Sequence, residues 1–330
     1  MGRYIIRRLM WIFLVLAVVS GITFVIFVVM PPVNPAVLAA GRNPTPQLIK
    51  QIEHIYGLDR PRYIQYFDYM KHLFLGDKYG WPGFGANFQN FTSVKAEIYG
   101  RMPVTVSLAL GAAVVWLLMG IPIGIISGLR RRSLADRASM LFALFGVSMP
   151  VFWLGLLMLY LFWFKLHLAC GSGYVPIFAD PHNPAAPHGL VSWACHMTMP
   201  WFALAFLYAA WYARMVRGNI LETMTEDYIR TARAKGLPER VVIFKHGMRG
   251  ALTPVVTMFG MDLGFLLGGA ILTERVFNMQ GIGLYAYRAI VTANLPAIQG
   301  TTLLTAFFIV FANLMVDIVY AYLDPRVRYT

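Results

Sequence analysis

Six apolar segments, each long enough to cross a lipid bilayer, constrain this chain more than any other feature of its sequence. A helix rises about 1.5 Å per residue and the hydrocarbon core is about 30 Å thick, so a crossing takes about 20 residues. The first segment is Leu9 to Met30, closed by Pro31-Pro32. The others cover residues 103–127, 138–164, 191–213, 251–273 and 300–323. Residues 138–164 carry no charge, the fifth segment is interrupted by Asp262, and the sixth has Asp317 near its end. With 58% hydrophobic and 13% charged residues, the composition argues against a soluble enzyme. The expected fold class is an all-α polytopic membrane protein with six transmembrane helices.

The first segment follows Arg3, Arg7 and Arg8, as a signal peptide would. Its apolar run of 22 residues is longer than an ordinary signal core, and Pro31-Pro32-Val33 lacks a small-residue cleavage pattern, so a retained span is expected.

The charge is lopsided, with 28 Lys and Arg against 15 Asp and Glu, and its placement decides what it means. One side of the membrane takes the first residues, the 129–137 loop, the 214–250 loop and the tail from Asp324. These hold 17 basic and 6 acidic residues, a net of +11. The other side takes residues 31–102, 166–190 and 275–299, with 10 basic residues. Positive-inside bias puts both termini and the 214–250 loop in the cytoplasm. Most of the charge is therefore topology and contact with membrane lipids, and nucleic acid is not an expected partner.

Residues 31–102 form an external region too long and polar for a turn. Thr45 to Tyr56 reads as a short helix with Pro46 in its first turn, Leu48, Ile49, Ile52 and Ile55 on one face, and Gly57 as cap. Pro61 to Leu75 reads as a second amphipathic stretch, and Gly80 to Asn90 as a loop. Such a module either touches an external partner or substrate, or braces the first two spans. Residues 171–189 read as an ordinary external loop: His182, His188 and His196 match no compact metal site, and Asp180 is the only nearby carboxylate. Cys170 and Cys195 form at most one disulfide, bridged if both face an oxidising side and otherwise small buried groups.

The 214–250 loop is the most informative stretch. It opens with Glu222, Glu226 and Asp227, continues as Tyr228-Ile229-Arg230-Thr231-Ala232-Arg233-Ala234-Lys235, breaks at Gly236-Leu237-Pro238, and resumes from Glu239 to Gly250. Acid first and base last suits a helix dipole. Gly236 allows a tight turn, and Pro238 fits the first turn of a second helix. A compact helix–turn–helix beneath the membrane results, suited to dock into a partner as a rigid lever. The alternative is a basic helix lying on anionic lipid.

Ionisable groups inside spans are costly. Asp262 either faces a water-filled pathway, where it favours a cationic group such as a peptide amino terminus, or is the buried partner of a hydroxyl, amide or base. Asp317 reads as paired with cytoplasmic basic residues. Gly260, Gly264 and Gly268 recur every four residues and read as a packing face. No G-x-x-x-x-G-K-[ST] phosphate cradle is present, nor an HExxH or GxSxG motif, so the chain is expected to be non-catalytic.

These residues resemble the inner-membrane permeases of binding-protein-dependent ABC importers, and within them the B-type subunit of dipeptide and oligopeptide permeases. The resemblance rests on Tyr4-Ile5-Ile6-Arg7-Arg8-Leu9, Tyr56-Gly57-Leu58-Asp59-Arg60-Pro61, Gly120-Ile121-Pro122-Ile123-Gly124 and Ser148-Met149-Pro150-Val151-Phe152-Trp153. It is strongest from Glu226 to Leu237 and His246 to Val256, and continues through residues 269–274, Gly281-Ile282-Gly283, Val316-Asp317 and Asp324-Pro325-Arg326. It implies the type I importer permease fold and a heteromeric assembly in the bacterial inner membrane. That assembly has a homologous second permease, two ATP-binding subunits and an extracellular or periplasmic substrate-binding protein. ATP and Mg would sit in the partner subunits, with no cofactor bound by this chain. Peptide is the expected substrate; nickel, another small solute, or a non-transporting scaffold role are the alternatives. The family's coupling loop corresponds to Glu226, Asp227, Tyr228, Arg230, Thr231, Ala232, Arg233, Ala234, Lys235, Gly236 and Leu237. Its acid-Ala-Ala positions fall on Arg230-Thr231-Ala232, so Arg230 does not inherit the acid's contacts. The expected organisation is residues 1–30 (tail and first span), 31–102 (external region), 103–323 (permease core with the coupling loop 214–250) and 324–330 (cytoplasmic tail).

Overall fold

The computed structural model describes residues 2–30, 34, 36, 37, 40, 45–55, 57–88, 90–179 and 186–323. Its helices are α1 (Gly2–Phe24, continued as a π-helical turn Val25–Val29), α2 (Pro46–Ile55), α3 (Arg62–Leu75), α4 (Val94–Leu129), α5 (Leu134–Ser148) and α6 (Val151–Met158, continued as Leu159–Lys165). They are followed by α7 (Leu190–Thr223), α8 (Asp227–Ala234), α9 (Glu239–Val241, continued as Val242–Gly247), α10 (Met248–Leu267), α11 (Ile271–Val276), α12 (Ile282–Val291) and α13 (Leu295–Leu323). Among the described residues no strand forms beyond two isolated bridges, Asp77 with Gly80 and Ala86 with Ser93. Among the described residues five helices are long and apolar enough to cross a membrane, and α5 with α6 makes a sixth crossing if the pair is one span. The chain is an all-α polytopic membrane protein.

Two expected spans are reshaped. Residues 138–164, expected as one helix, form α5 and α6, which meet at a bend of 100°. Pro150 has no N–H to continue the ladder, and it drives the preceding Met149 to an extended conformation, φ −85 and ψ 122. Residues 251–273, expected as the fifth span, end as a helix at Leu267. Gly269 there adopts φ +117, outside the helical range, and α11 starts afresh at Ile271. Elsewhere the helices outrun the apolar segments: α4 begins at Val94 and α7 continues to Thr223.

The chain divides into two compact units. The first comprises Met1–Thr105, Gly264–Ile271 and Gln280–Thr330. Here α1 and α12 pack along α13. Val94 and Ile98 of α4 are buried with Tyr285, Ala289, Ala297 and Ile298. Glycines allow the closest approaches: a Cβ on Gly264 would lie 2.7 Å from that of Ala312, and one on Gly268 would run into the Thr305 methyl. Helix α3 is held to α1 by Tyr66, whose hydroxyl lies 3.1 Å from Ser20 Oγ and whose ring meets Phe24 edge-on at 5.2 Å.

The second unit comprises Val106–Leu263 and Leu272–Met279. Helices α5 and α6 pack on α7. Gly120, Gly124 and Gly128 of α4 face α7 at backbone distance: a Cβ on each would lie 2.7–2.8 Å from atoms of Ala209, Ala213 and Val216, or Ile220. Trp116 is fully buried and stacks on Tyr208 at 4.7 Å. Cys170 and Cys195 are joined as a disulfide, tying the loop after α6 to the first turns of α7.

Candidate functional site

The 214–250 loop is built outward from α7. Hydrogen bonds from the N–H groups of Met224, Thr225 and Glu226 to Ile220, Glu222 and Thr223 run the backbone from α7 into α8 without a slack residue. Helix α8 ends in a two-bond motif. The Gly236 N–H donates to Arg233 O at 2.9 Å and the Leu237 N–H to Ala232 O at 3.4 Å. This pattern closes around a residue in the left-handed region, and Gly236 has φ +73. Space is open beside Gly236, so the backbone angle rather than crowding calls for glycine. Pro238 then caps α9, turning the chain back.

Between the two arms lies a small core. Ile229 and Val242 are fully buried and Ala232 nearly so, with Met224 packed against them. Ala232 therefore faces inward, where a larger side chain meets Val242 and Ile229. Outward lie Glu226, Asp227, Tyr228, Arg230, Thr231, Arg233, Ala234, Lys235, Gly236 and Leu237. Arg233 clamps Glu239 across the turn, Nη2 to Oε1 at 2.7 Å and Nε to Oε2 at 3.2 Å. The hydrogen bonds to Glu239 raise the Arg233 guanidinium further above its ordinary value. Arg230 pairs with Asp227 at 3.3 Å. Burial pushes the Tyr228 hydroxyl up from its ordinary value, and the Glu226 carboxylate adds to the shift.

The block is fastened to two span ends. A Cβ on Gly250 would lie 2.7 Å from the Tyr228 hydroxyl, and one on Gly247 would lie 3.0 Å from Met224 Sδ. Asn219 of α7 donates its amide to the Ala251 carbonyl of α10 at 3.0 Å. Two residues further into α7, Arg217 reaches Asp136 of α5 at 2.7 Å.

Asp262 lies elsewhere, part-exposed on α10. The Tyr212 hydroxyl donates to its Oδ2 at 2.7 Å, and Tyr212 itself is fully buried. The hydroxyl-partner reading of Asp262 thus has a direct geometric counterpart. The Asp317 side chain, His182 and Asp180 lie outside the described residues. His188 and His196 hydrogen-bond the Ala186 and Ser192 carbonyls, and no metal-holding cluster occurs among the described residues. Sequence reasoning passed over Tyr212, Asn219, and the Asp136–Arg217 pair. Only Ser133-Leu134-Ala135-Asp136 carried a local signal, a helix-start pattern in which Ser133 Oγ accepts from the Asp136 N–H at 3.2 Å.

Fold and site together define a class: a polytopic α-helical membrane protein carrying a preformed helix–turn–helix block between its fourth and fifth spans. The model of the binding-protein-dependent transport system inner membrane component family matches residues 120–329, and that of its N-terminal part matches residues 1–109. The chain belongs to that family, the membrane components of binding-protein-dependent importers. A dipeptide transport system permease of Alkalihalophilus pseudofirmus is 37% identical over 345 residues, covering 99% of each chain. A probable D,D-dipeptide transport system permease of Escherichia coli K12 is 35% identical, covering 98% of this chain and 97% of its own. A glutathione transport system permease of the same strain is 36% identical over the full length of both.

Proposed function

We propose that this chain is one of a pair of homologous permease subunits in an ATP-driven peptide importer, seated in the bacterial inner membrane with both termini cytoplasmic. The similar relatives named for dipeptides, D,D-dipeptides and glutathione support peptide as the substrate. The observation that carries the coupling role is the loop: a block with its own core, rigidly continuous with α7 and fastened to α10, presenting Tyr228, Arg230, Arg233 and Leu237 outward. Two ATP-binding subunits hold ATP and Mg, and one of them receives the block in a cleft. Their closure pushes the block and moves the pathway from inward-open to outward-open, where a binding protein delivers peptide. The net charge of the loops and the Cys170–Cys195 disulfide support the orientation, since a disulfide persists on an oxidising side.

Asp262 contributes to the pathway wall. A carboxylate in a span is unstable against lipid. Tyr212 holds Oδ2, and Oδ1 accepts no hydrogen bond among the described residues, which suits a water-filled path and a peptide ammonium group. The test is uptake by vesicles holding the whole assembly with its binding protein. ATP-dependent accumulation of a labelled dipeptide is expected, and Asp262→Asn is expected to lower uptake of free-amine peptides more than of N-acetylated ones. Equal loss for both classes assigns Asp262 to packing. Nickel uptake without peptide uptake replaces the substrate, and bound ATPases with no uptake indicate a scaffold.

A further inference from the structure

One buried carboxylate collects donors from α4, α7 and the turn between α4 and α5. Asp136, in the first turn of α5, is 5% exposed. Arg217 of α7 donates through Nε to Oδ1 at 2.7 Å and through Nη2 to Oδ2 at 3.1 Å. The Ser127 hydroxyl, from the last turn of α4, donates to Oδ1 at 2.6 Å. The Arg132 backbone N–H, from the turn between α4 and α5, donates to Oδ2 at 2.8 Å. An ionised carboxylate offers about four acceptor sites, so this one is saturated. The two-bond guanidinium contact also fixes angle as well as distance.

The same three helices are in backbone contact above this point. Gly120, Gly124 and Gly128 bring α4 onto α7, and a Cβ on Gly146 of α5 would run into that of Ala210. Arg217 sits less than two turns before Thr223, where α7 passes into the loop block. We infer that Asp136 is a positioning residue: with Arg217 and Ser127 it locks the ends of α4, α5 and α7 into one body. Displacement of the block then moves these spans together instead of being absorbed by bending at the end of α7. The inference rests on the coupling role proposed for the loop.

The experiment uses the complete importer in vesicles, with peptide imported per ATP hydrolysed as the readout. Ser127→Ala keeps the ion pair and removes only the α4 tether, so it preserves the fold. Asp136→Asn weakens all of the contacts. Both are expected to keep hydrolysis stimulated by loaded binding protein, while import per ATP falls about threefold in Ser127→Ala and about tenfold in Asp136→Asn. An unchanged ratio in assembled Ser127→Ala importer overturns the inference, whatever Asp136→Asn does. Failure of the loop's coupling role reads differently: a bulky residue at Gly236 then leaves stimulated hydrolysis untouched.

Discussion

The 214–250 loop and the helices α2 and α3 are both amphipathic segments broken by Gly and Pro, yet they fold by different rules. The loop closes on itself: Ile229 and Val242 are fully buried, and both arms are fastened to span ends. Helices α2 and α3 bury no residue completely, and Phe67 is 77% exposed. Helix α3 is held to α1 through Tyr66, on the Ser20 hydroxyl and the Phe24 ring. A segment that transmits force needs an interior that resists deformation, and the loop has one. A segment whose apolar side chains stay open suits adaptable contact with another surface.

The largest effect expected to expose this contrast is a charge placed in the loop's core. Ile229→Asp buries an unpaired carboxylate, a penalty of about 3 kcal/mol or more. Co-purification of the ATP-binding subunits is expected to be lost. Phe67→Asp on α3 is expected to leave that co-purification intact; equal loss in both would erase the distinction. Next in size is Gly236→Val, because a branched residue in the left-handed region costs about 1–2 kcal/mol. Stimulated ATP hydrolysis is expected to fall clearly in Gly236→Val and less in Gly236→Asn, since Asn tolerates that region.

Smaller still is Glu239→Gln, which removes an exposed ion pair and leaves Ile229, Ala232 and Val242 packed. Hydrolysis is expected to change by less than about twofold, and added salt to mimic the substitution. The smallest effect belongs to the turn between α2 and α3, where the hydrogen bond with His54 holds the Asp59 carboxyl below its ordinary value. A lowered carboxyl contributes stability above its ordinary value and loses it as pH falls through the lowered one. Amide protection around residues 57–60 is therefore expected to fall as the pH drops below about 4.

Much of this was legible in the sequence. Uninterrupted apolar length marked the crossings, and the acid-to-base order with Gly236-Leu237-Pro238 marked the loop's helix–turn–helix. The bend at Pro150 was harder, because apolar composition runs straight through it and only the Met149-Pro150 pair carries the break. The end of α10 was disguised likewise: Gly268 reads as a packing glycine, while the φ of Gly269 shows the helix ending there. The contacts that organise the loop's base were beyond local reading. Asp136 meets Arg217 across 81 positions and Asp262 meets Tyr212 across 50, so no periodicity or motif joins them.

The most direct test of the loop as a lever is ATP hydrolysis by the assembled importer, with and without loaded binding protein, after Ala232→Leu and Gly236→Val are introduced together. The first overfills the core around Ile229 and Val242, and the second strains the turn. The lever account predicts that the assembly survives while the stimulation by loaded binding protein disappears. Stimulation equal to that of the unsubstituted chain, in an intact assembly, would contradict it.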